Sequence, residues 1–374
     1  MALDISKVER TPAFILEHSA FKKNLELIKE VQKQVPARFI LALKGFAMHS
    51  VFDEITEVVN GATASSLNEA LLASEHFNEV HAYAPSYIPS EFDTIAKVAK
   101  HITFNSVAQF NLYKDRLKNA KAGLRINPQF STVETDLYNP CIDGSRLGVV
   151  HTQLTTLPKG VSGLHTHNLC ENGAFEAKET LKQIEKLYGN HLNSISWLNL
   201  GGGHLVTREG YDLELLIKSL NEFHLKYPHL EIILEPGAAF VWETGVLVAS
   251  VLDVVENNGT TTLMLDTSFA AHMPDTLEMP YKPLLRNGKS VESGGVMLGG
   301  SSCLAGDWLG PYHFDKKVEV GDKIVFEDMM HYTMVKTTMF NGLALPDIAI
   351  WKDNKLKTVF SSSYDDYKGR LSDG

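Results

Sequence analysis

Phe39-Ile-Leu-Ala-Leu-Lys44-Gly-Phe-Ala47 is the stretch whose reading decides the fold. Five apolar residues end in a lone lysine, and a glycine follows at once. Such a run is a buried parallel strand, with the lysine where the strand emerges at its carboxyl end. A lysine half-sunk in an apolar wall has its charged form disfavoured, so its pKa falls and its amine becomes a usable nucleophile. Such an amine can hold a carbonyl compound as a Schiff base. A lysine that snorkels out of a strand end is the commoner outcome, so Lys44 needs support from the rest of the chain.

Outward from this strand the chain alternates. Strands are expected at 38–43, 62–65, 80–84, 102–104, 123–126, 163–166, 195–200 and 232–234. Helical periodicity falls at 19–34, 49–59, 67–75, 90–100, 107–118, 175–188 and 213–226, and residues 127–159 read as an elaborated loop. Eight strands with crossover helices predict an α/β fold, a (β/α)8 TIM-type barrel over residues 18–240. Beyond Gly237 the segments 246–255, 262–266, 291–298, 317–325, 332–336 and 348–351 are short, β-branched and split by turns. They predict a C-terminal β domain, sandwich or barrel-like, over residues 241–374, completed by an N-terminal strand within residues 1–17.

Barrel active sites gather at the carboxyl ends of strands. The residues just past those ends include Lys44, His167, Gly201-Gly202-Gly203 and Glu235. Glu235, in Leu-Glu-Pro-Gly237, could hold a ring nitrogen protonated, or simply enter a Pro-Gly turn. The glycines could bring backbone amides to an anion, or form a tight turn. His167 could stack on an aromatic ring, or be a satisfied core histidine; His165, two residues earlier, faces the same side but deeper. Cys303, in Gly299-Gly-Ser-Ser-Cys-Leu-Ala-Gly-Asp307, offers a thiol on a small-residue loop where burial is the usual fate. Tyr332 offers a hydroxyl to a phosphate, or is a strand aromatic.

The totals set limits. Forty-four per cent apolar and 21% charged residues describe a soluble globular protein, and a net charge of −10 argues against nucleic acid and anionic membranes as partners. Cys141, Cys170 and Cys303 are too few and too scattered for a disulfide framework or a zinc site, so no metal is expected. The first ten residues lack the apolar core of a signal peptide, and no stretch is apolar enough to span a membrane, which together indicate a cytoplasmic protein.

From Pro12 to about Asn341 these segments, in this order, resemble the alanine racemase-like fold group of pyridoxal-phosphate enzymes, within the ornithine/diaminopimelate decarboxylase superfamily. The resemblance implies pyridoxal 5'-phosphate held covalently by Lys44, stacked on His167 and paired through its ring nitrogen with Glu235. It implies that Gly201, Gly202, Gly203 and Tyr332 hold the phosphate. It implies a homodimer with shared sites, in which Cys303 reaches the neighbouring subunit's site and protonates the product. Phe340-Asn-Gly342 fits as well. Three positions depart from the best-known members: Ala238 where they carry arginine, Leu304 where they carry an acid, and Cys170 where a serine is common. The strings Ala42-Leu-Lys-Gly-Phe46, His272-Met-Pro-Asp-Thr-Leu-Glu-Met-Pro-Tyr281 and Gly300-Ser-Ser-Cys-Leu-Ala-Gly-Asp-Trp308 are instead similar to the carboxynorspermidine/carboxyspermidine decarboxylase branch. That likeness implies decarboxylation of a carboxylated polyamine in polyamine biosynthesis, with Asp275 and Asp307 assigned to the substrate's amino groups. Alternatives are a diaminopimelate or other basic amino-acid decarboxylase, a racemase of the same fold, and a non-catalytic regulator, the last expected to have lost Lys44 or Cys303.

Overall fold

The computed structural model describes residues 3–372; the outermost positions of the expected β domain, 1–2 and 373–374, lie outside the described residues. The chain divides into two compact units, residues 24–240 and residues 1–23 with 241–374.

The first unit is a closed parallel barrel. Its opening strand, Ala37–Phe39, continues after Ile40 as Leu41–Ala42, so the apolar run before Lys44 is one strand with a single interruption. Gly61–Ala64, Glu79–Tyr83, His101–Phe104, Lys121–Arg125, Val161–His165, Trp197–Asn199 and Glu231–Leu234 follow, each paired in parallel with its predecessor. Closure comes where Ile232 meets Ala37 and Leu234 meets Phe39, while Leu41 pairs with Ala62 on the other flank. Near-continuous apolar strands fit, because a parallel sheet wrapped in helices is buried on both faces. All eight expected strands are present, and helices such as Leu67–His76, Ala174–Leu192 and Leu213–Lys226 cross between them. Residues 127–159 carry only the short 3-10 turns Asp136–Tyr138 and His151–Gln153.

The barrel interior is filled by Trp197, packed with Ile40 and Ile233. A Cβ added at Gly163 would overlap the indole, and one at Gly123 would strike it too. Two glycines on neighbouring strands thus make room for one large side chain, as barrel layers require.

At the amino-terminal rim lies a polar cluster. Glu79 accepts from Arg38 Nη1 and Nη2 at 3.1 and 2.8 Å, from Lys100 Nζ at 2.6 Å, and lies 2.6 Å from His81 Nε2. Arg38 also pairs with Glu231, and His101 Nδ1 lies 3.1 Å from His81 Nε2. Glu79, His81 and His101 stand at distances that could hold a metal ion. The Glu79 oxygens are already committed to two cations, so the cluster works as an ion-pair network with a buried acid at its centre and partly exposed cations around it. Its charges balance, two acids against two bases.

The second unit is a nine-stranded mixed sheet whose spine is the long strand Gly245–Asn257. Its first half pairs with Ala13–Glu17 and Lys323–Glu327; after a register shift between Val251 and Asp253 its second half pairs with Thr260–Leu265. Ala13–Glu17 lies between this spine and Asp347–Lys352, parallel to the latter. Leu3, Val8, Ile15, Val246, Val325 and Trp351 build its core.

Here the sequence expectations need correction. Tyr332–Lys336 is not a strand but leads into a 3-10 turn, Thr333–Lys336; Tyr332 has φ 49°, which extended pairing does not admit. The strand expected from Lys317 begins only at Lys323, because Gly321 turns at φ 93°. Trp308–His313 and Lys355–Phe360 are strands the reading missed.

Candidate active site

The carboxyl ends of the barrel strands bring three of the expected residues, Lys44, His167 and Gly202, into one line of contacts. Lys44 Nζ lies 3.0 Å from His167 Nε2, and the Gly202 N–H donates to His167 Nδ1 at 2.8 Å. That backbone bond leaves the neutral imidazole its proton on Nε2. Nε2–H therefore points at Lys44 as a donor, and a donor is received by an amine that has a lone pair. Lys44 is exposed at the barrel mouth. Desolvation, then the Arg125 charge, lowers its pKa below the usual lysine range. Burial, then Lys44, pushes His167 well below the usual histidine range. The hydrogen-bond geometry sets a lysine lone pair against a neutral histidine, and the downward shifts of both groups run in the same direction.

Glu235 is buried and ionised. Asn199 Nδ2 donates to its Oε1 at 2.7 Å, and His165 Nε2 lies 3.5 Å from its Oε2. Burial alone would raise its pKa; the hydrogen bonds from His165 and Asn199 outweigh burial and hold it at about 2. Asn199 also accepts the Gly201 N–H at 2.8 Å, tying the glutamate to the glycine turn.

The three glycines have a packing reason of their own. A Cβ on Gly201 would overlap Thr166 O and lie 2.7 Å from His167 Cβ; on Gly202 it would lie 2.6 Å from Glu235 O; on Gly203 it would overlap Leu169 O. Gly201 and Gly203 also adopt positive φ. The turn is thus pressed between the His167 and Glu235 segments. The helix that follows begins only at Leu213, capped by Asp212.

Two neighbours escaped the sequence reading. Arg125 is buried, sits over the Tyr83 ring at 4.8 Å, and donates to Tyr83 Oη at 2.7 Å and to His167 O at 2.8 Å. Tyr83 in turn stacks on His165. Arg125 ends an apolar strand as Lys44 does, and that shared signature could have found it. Ala238, where the best-known members carry arginine, is buried with its backbone against the Gly45 turn.

The remaining expected residues belong to the sheet unit. Cys303 is exposed, and its N–H donates to Asn341 Oδ1 at 2.7 Å. Asp307, four residues on, is 4% exposed. It accepts from Ala270 N at 3.0 Å, Ser302 N at 3.1 Å and Ser302 Oγ at 2.6 Å. Its Oδ2 serves its own loop and its Oδ1 the helical turn Phe269–His272, so in this arrangement it braces the Cys303 loop. Asp275 is paired with Lys336. Tyr332 precedes the turn that ends in Lys336.

Residues 56–330 match the family described as pyridoxal-dependent decarboxylase, C-terminal sheet domain. The chain belongs to the pyridoxal-dependent decarboxylases. This decarboxylase is 50% identical to a carboxyaminopropylagmatine decarboxylase from Synechocystis, over 96% of this chain and 95% of that one. It is 41% identical to a carboxynorspermidine/carboxyspermidine decarboxylase from Campylobacter jejuni, over 96% of this chain and 98% of that one. The crystal structure of the C. jejuni carboxynorspermidine decarboxylase complexed with norspermidine superposes with TM-score 0.89 at 40% identity, covering 96% of this chain and all of that one. The diaminopimelate decarboxylase of Helicobacter pylori, 18% identical, shares the fold at TM-score 0.85 over 98% of both chains. Among the described residues no helix is long and apolar enough to cross a membrane.

The barrel residues fit the family's cofactor, pyridoxal phosphate. Lys44 offers a free amine. Glu235 is a buried carboxylate whose near partners are an amide and a histidine that burial holds neutral, so a protonated ring nitrogen would balance its charge. His167 offers an imidazole between them.

Proposed function

We propose that the protein decarboxylates a carboxylated polyamine, carboxynorspermidine or carboxyspermidine, releasing norspermidine or spermidine. The observation that carries this reading is near full-length similarity, at 41% and 36% identity, to two curated decarboxylases of these substrates. A second reading is favoured by the 50% identical relative, which acts on carboxyaminopropylagmatine. The substrates of both readings join an amino-acid end to a long cationic tail; in the second, the agmatine tail ends in a guanidinium.

Pyridoxal phosphate, when bound, supplies the electron sink that accepts the bonding electrons as carbon dioxide leaves. The chain's own residues do the rest. Lys44, kept as a free base by His167, holds the cofactor covalently. Glu235 keeps negative charge where the ring nitrogen must stay protonated, and His167 gives the ring a face. The glycine turn 201–203 and Tyr332 receive the phosphate, the Gly201 and Gly202 N–H groups being committed to Asn199 and His167. The Cys303 thiol returns a proton to the carbon that lost its carboxylate, on a loop braced by Asp307 and Asn341. Asp275 receives a substrate amine, and Asp307, first assigned to the same task, braces instead. We also infer a homodimer in which Cys303 serves the partner's site, and a cytoplasmic setting, which suits three unpaired thiols.

Carbon dioxide release from carboxynorspermidine, carboxyspermidine, carboxyaminopropylagmatine, meso-diaminopimelate, arginine and ornithine tests the reading. Turnover of the first two selects the first reading; of the third alone, the second. Preference for diaminopimelate or a simple amino acid would overturn both. Lys44→Ala is expected to abolish release, and mixing it with Cys303→Ala to restore activity if sites are shared.

A further inference from the structure

Lys336 closes the 3-10 turn Thr333–Lys336, and its ammonium pairs with Asp275 Oδ1 and lies 3.3 Å from Glu278 Oε2. Asp275 and Glu278 begin and end a single helical turn, three residues apart on one face. The side chains are 35%, 18% and 55% exposed for Lys336, Asp275 and Glu278, so an incoming cation can reach all three. Burial works against the Lys336 charge, but its bonds to Asp275 and Glu278 outweigh burial and raise its pKa.

Two carboxylates converging on one ammonium is the arrangement that receives a polyamine nitrogen or a planar guanidinium. In this protein that place is held by a residue of the chain itself. With Lys336 in place the trio presents one net negative charge instead of two. We propose that Lys336 is a specificity-determining residue, competing with the substrate's distal cation for Asp275 and Glu278. The inference rests on the reading that Asp275 receives a substrate amine. A short or weakly held amine fails against a tethered competitor, whereas a long polycation anchored at its amino-acid end succeeds.

The test uses the cofactor-loaded enzyme with K336M, K336Q, K336R and D275N, each checked by thermal unfolding. Carboxynorspermidine and diaminopimelate serve as substrates and norspermidine as product inhibitor. Removing the competitor in K336M and K336Q lowers the triamine KM and the norspermidine inhibition constant by roughly threefold to tenfold, the span of a partly exposed ion pair. The shift in kcat is smaller, preference over diaminopimelate narrows, and K336R behaves as the unchanged enzyme. An unchanged or raised KM in both K336M and K336Q, with D275N raising it, overturns the competition and leaves Asp275 as a substrate ligand. A D275N enzyme with unaltered KM and norspermidine inhibition removes the substrate role of Asp275, and the competition with it.

Discussion

Replacing Asn199 with alanine should loosen the acidic heart of the barrel without touching Lys44. Asn199 is 2% exposed and makes two bonds, to Glu235 Oε1 at 2.7 Å and from the Gly201 N–H at 2.8 Å. A hydrogen bond to an ionised group is worth about 1.5–3 kcal/mol, and an orphaned buried N–H costs about 1–3 kcal/mol. The two are lost together from one side chain, so they do not add fully, and about 2–4 kcal/mol is expected. The share belonging to Glu235 corresponds to a rise of about one to two units from its value of about 2. The direction in pH follows. Because the folded pKa lies below the ordinary 4.5, ionised Glu235 stabilises fully above that pH and progressively less as pH falls toward 2. The gap between the native protein and Asn199→Ala is therefore widest near neutrality and closes in acid. Hydrogen exchange of residues 195–203 and 231–237 reads the loosening, and the acid limb of the pH–rate profile reads the glutamate. Unchanged protection in both segments, with an unmoved acid limb, would refute the claim that Asn199 holds Glu235.

Gly163→Ala forces a methyl into the Trp197 indole and should destabilise the barrel by about 1–3 kcal/mol in urea unfolding, with Trp197→Phe in the same chain recovering part of the loss. Glu79→Gln removes the charge shared by Arg38, Lys100 and His81; because the cations are partly exposed, about 2–4 kcal/mol is expected rather than the full cost of a broken buried pair. Glu79 has its pKa far below 4.5, so its contribution is present at neutral pH and fades below about pH 4.5, which unfolding curves at pH 7 and pH 4 can compare. Asp307→Ala orphans Ala270 N and Ser302 N and should raise hydrogen exchange across residues 300–308 at little cost to the barrel; undisturbed exchange there would remove its bracing role.

The alternation around Lys44 made the barrel legible, because eight apolar runs separated by helical periodicity admit few other folds. Lys44, His167 and Glu235 were legible for a related reason: strand carboxyl ends share one rim, so polar residues there fall together. Asn199 was passed over since it is one polar residue closing an otherwise apolar strand, and only the packed barrel shows which direction it faces. No local pattern could relate Gly123 and Gly163 to Trp197; the fit exists only between strands. In the sheet unit, short segments with turns defeat periodicity, so Trp308–His313 went unseen and the residues before Lys323 were overcounted. Asp307 was assigned to the substrate's amino groups, and its burial depends on Ala270 and Ser302 arriving beside it.

The strand Ala13–Glu17, wedged between Gly245–Asn257 and Asp347–Lys352, sets a timetable for synthesis. It leaves the ribosome before either of its partners: one flank waits for residues past 245 and the other for residues past 347. Residues 24–240 can close on themselves meanwhile, since every barrel strand has its neighbours within that span. Through that interval an apolar ribbon, Ala-Phe-Ile-Leu, stands with open edges, the condition in which nascent chains aggregate or recruit chaperones. Slowing translation anywhere between residue 24 and residue 347 would lengthen this interval and lower the soluble yield.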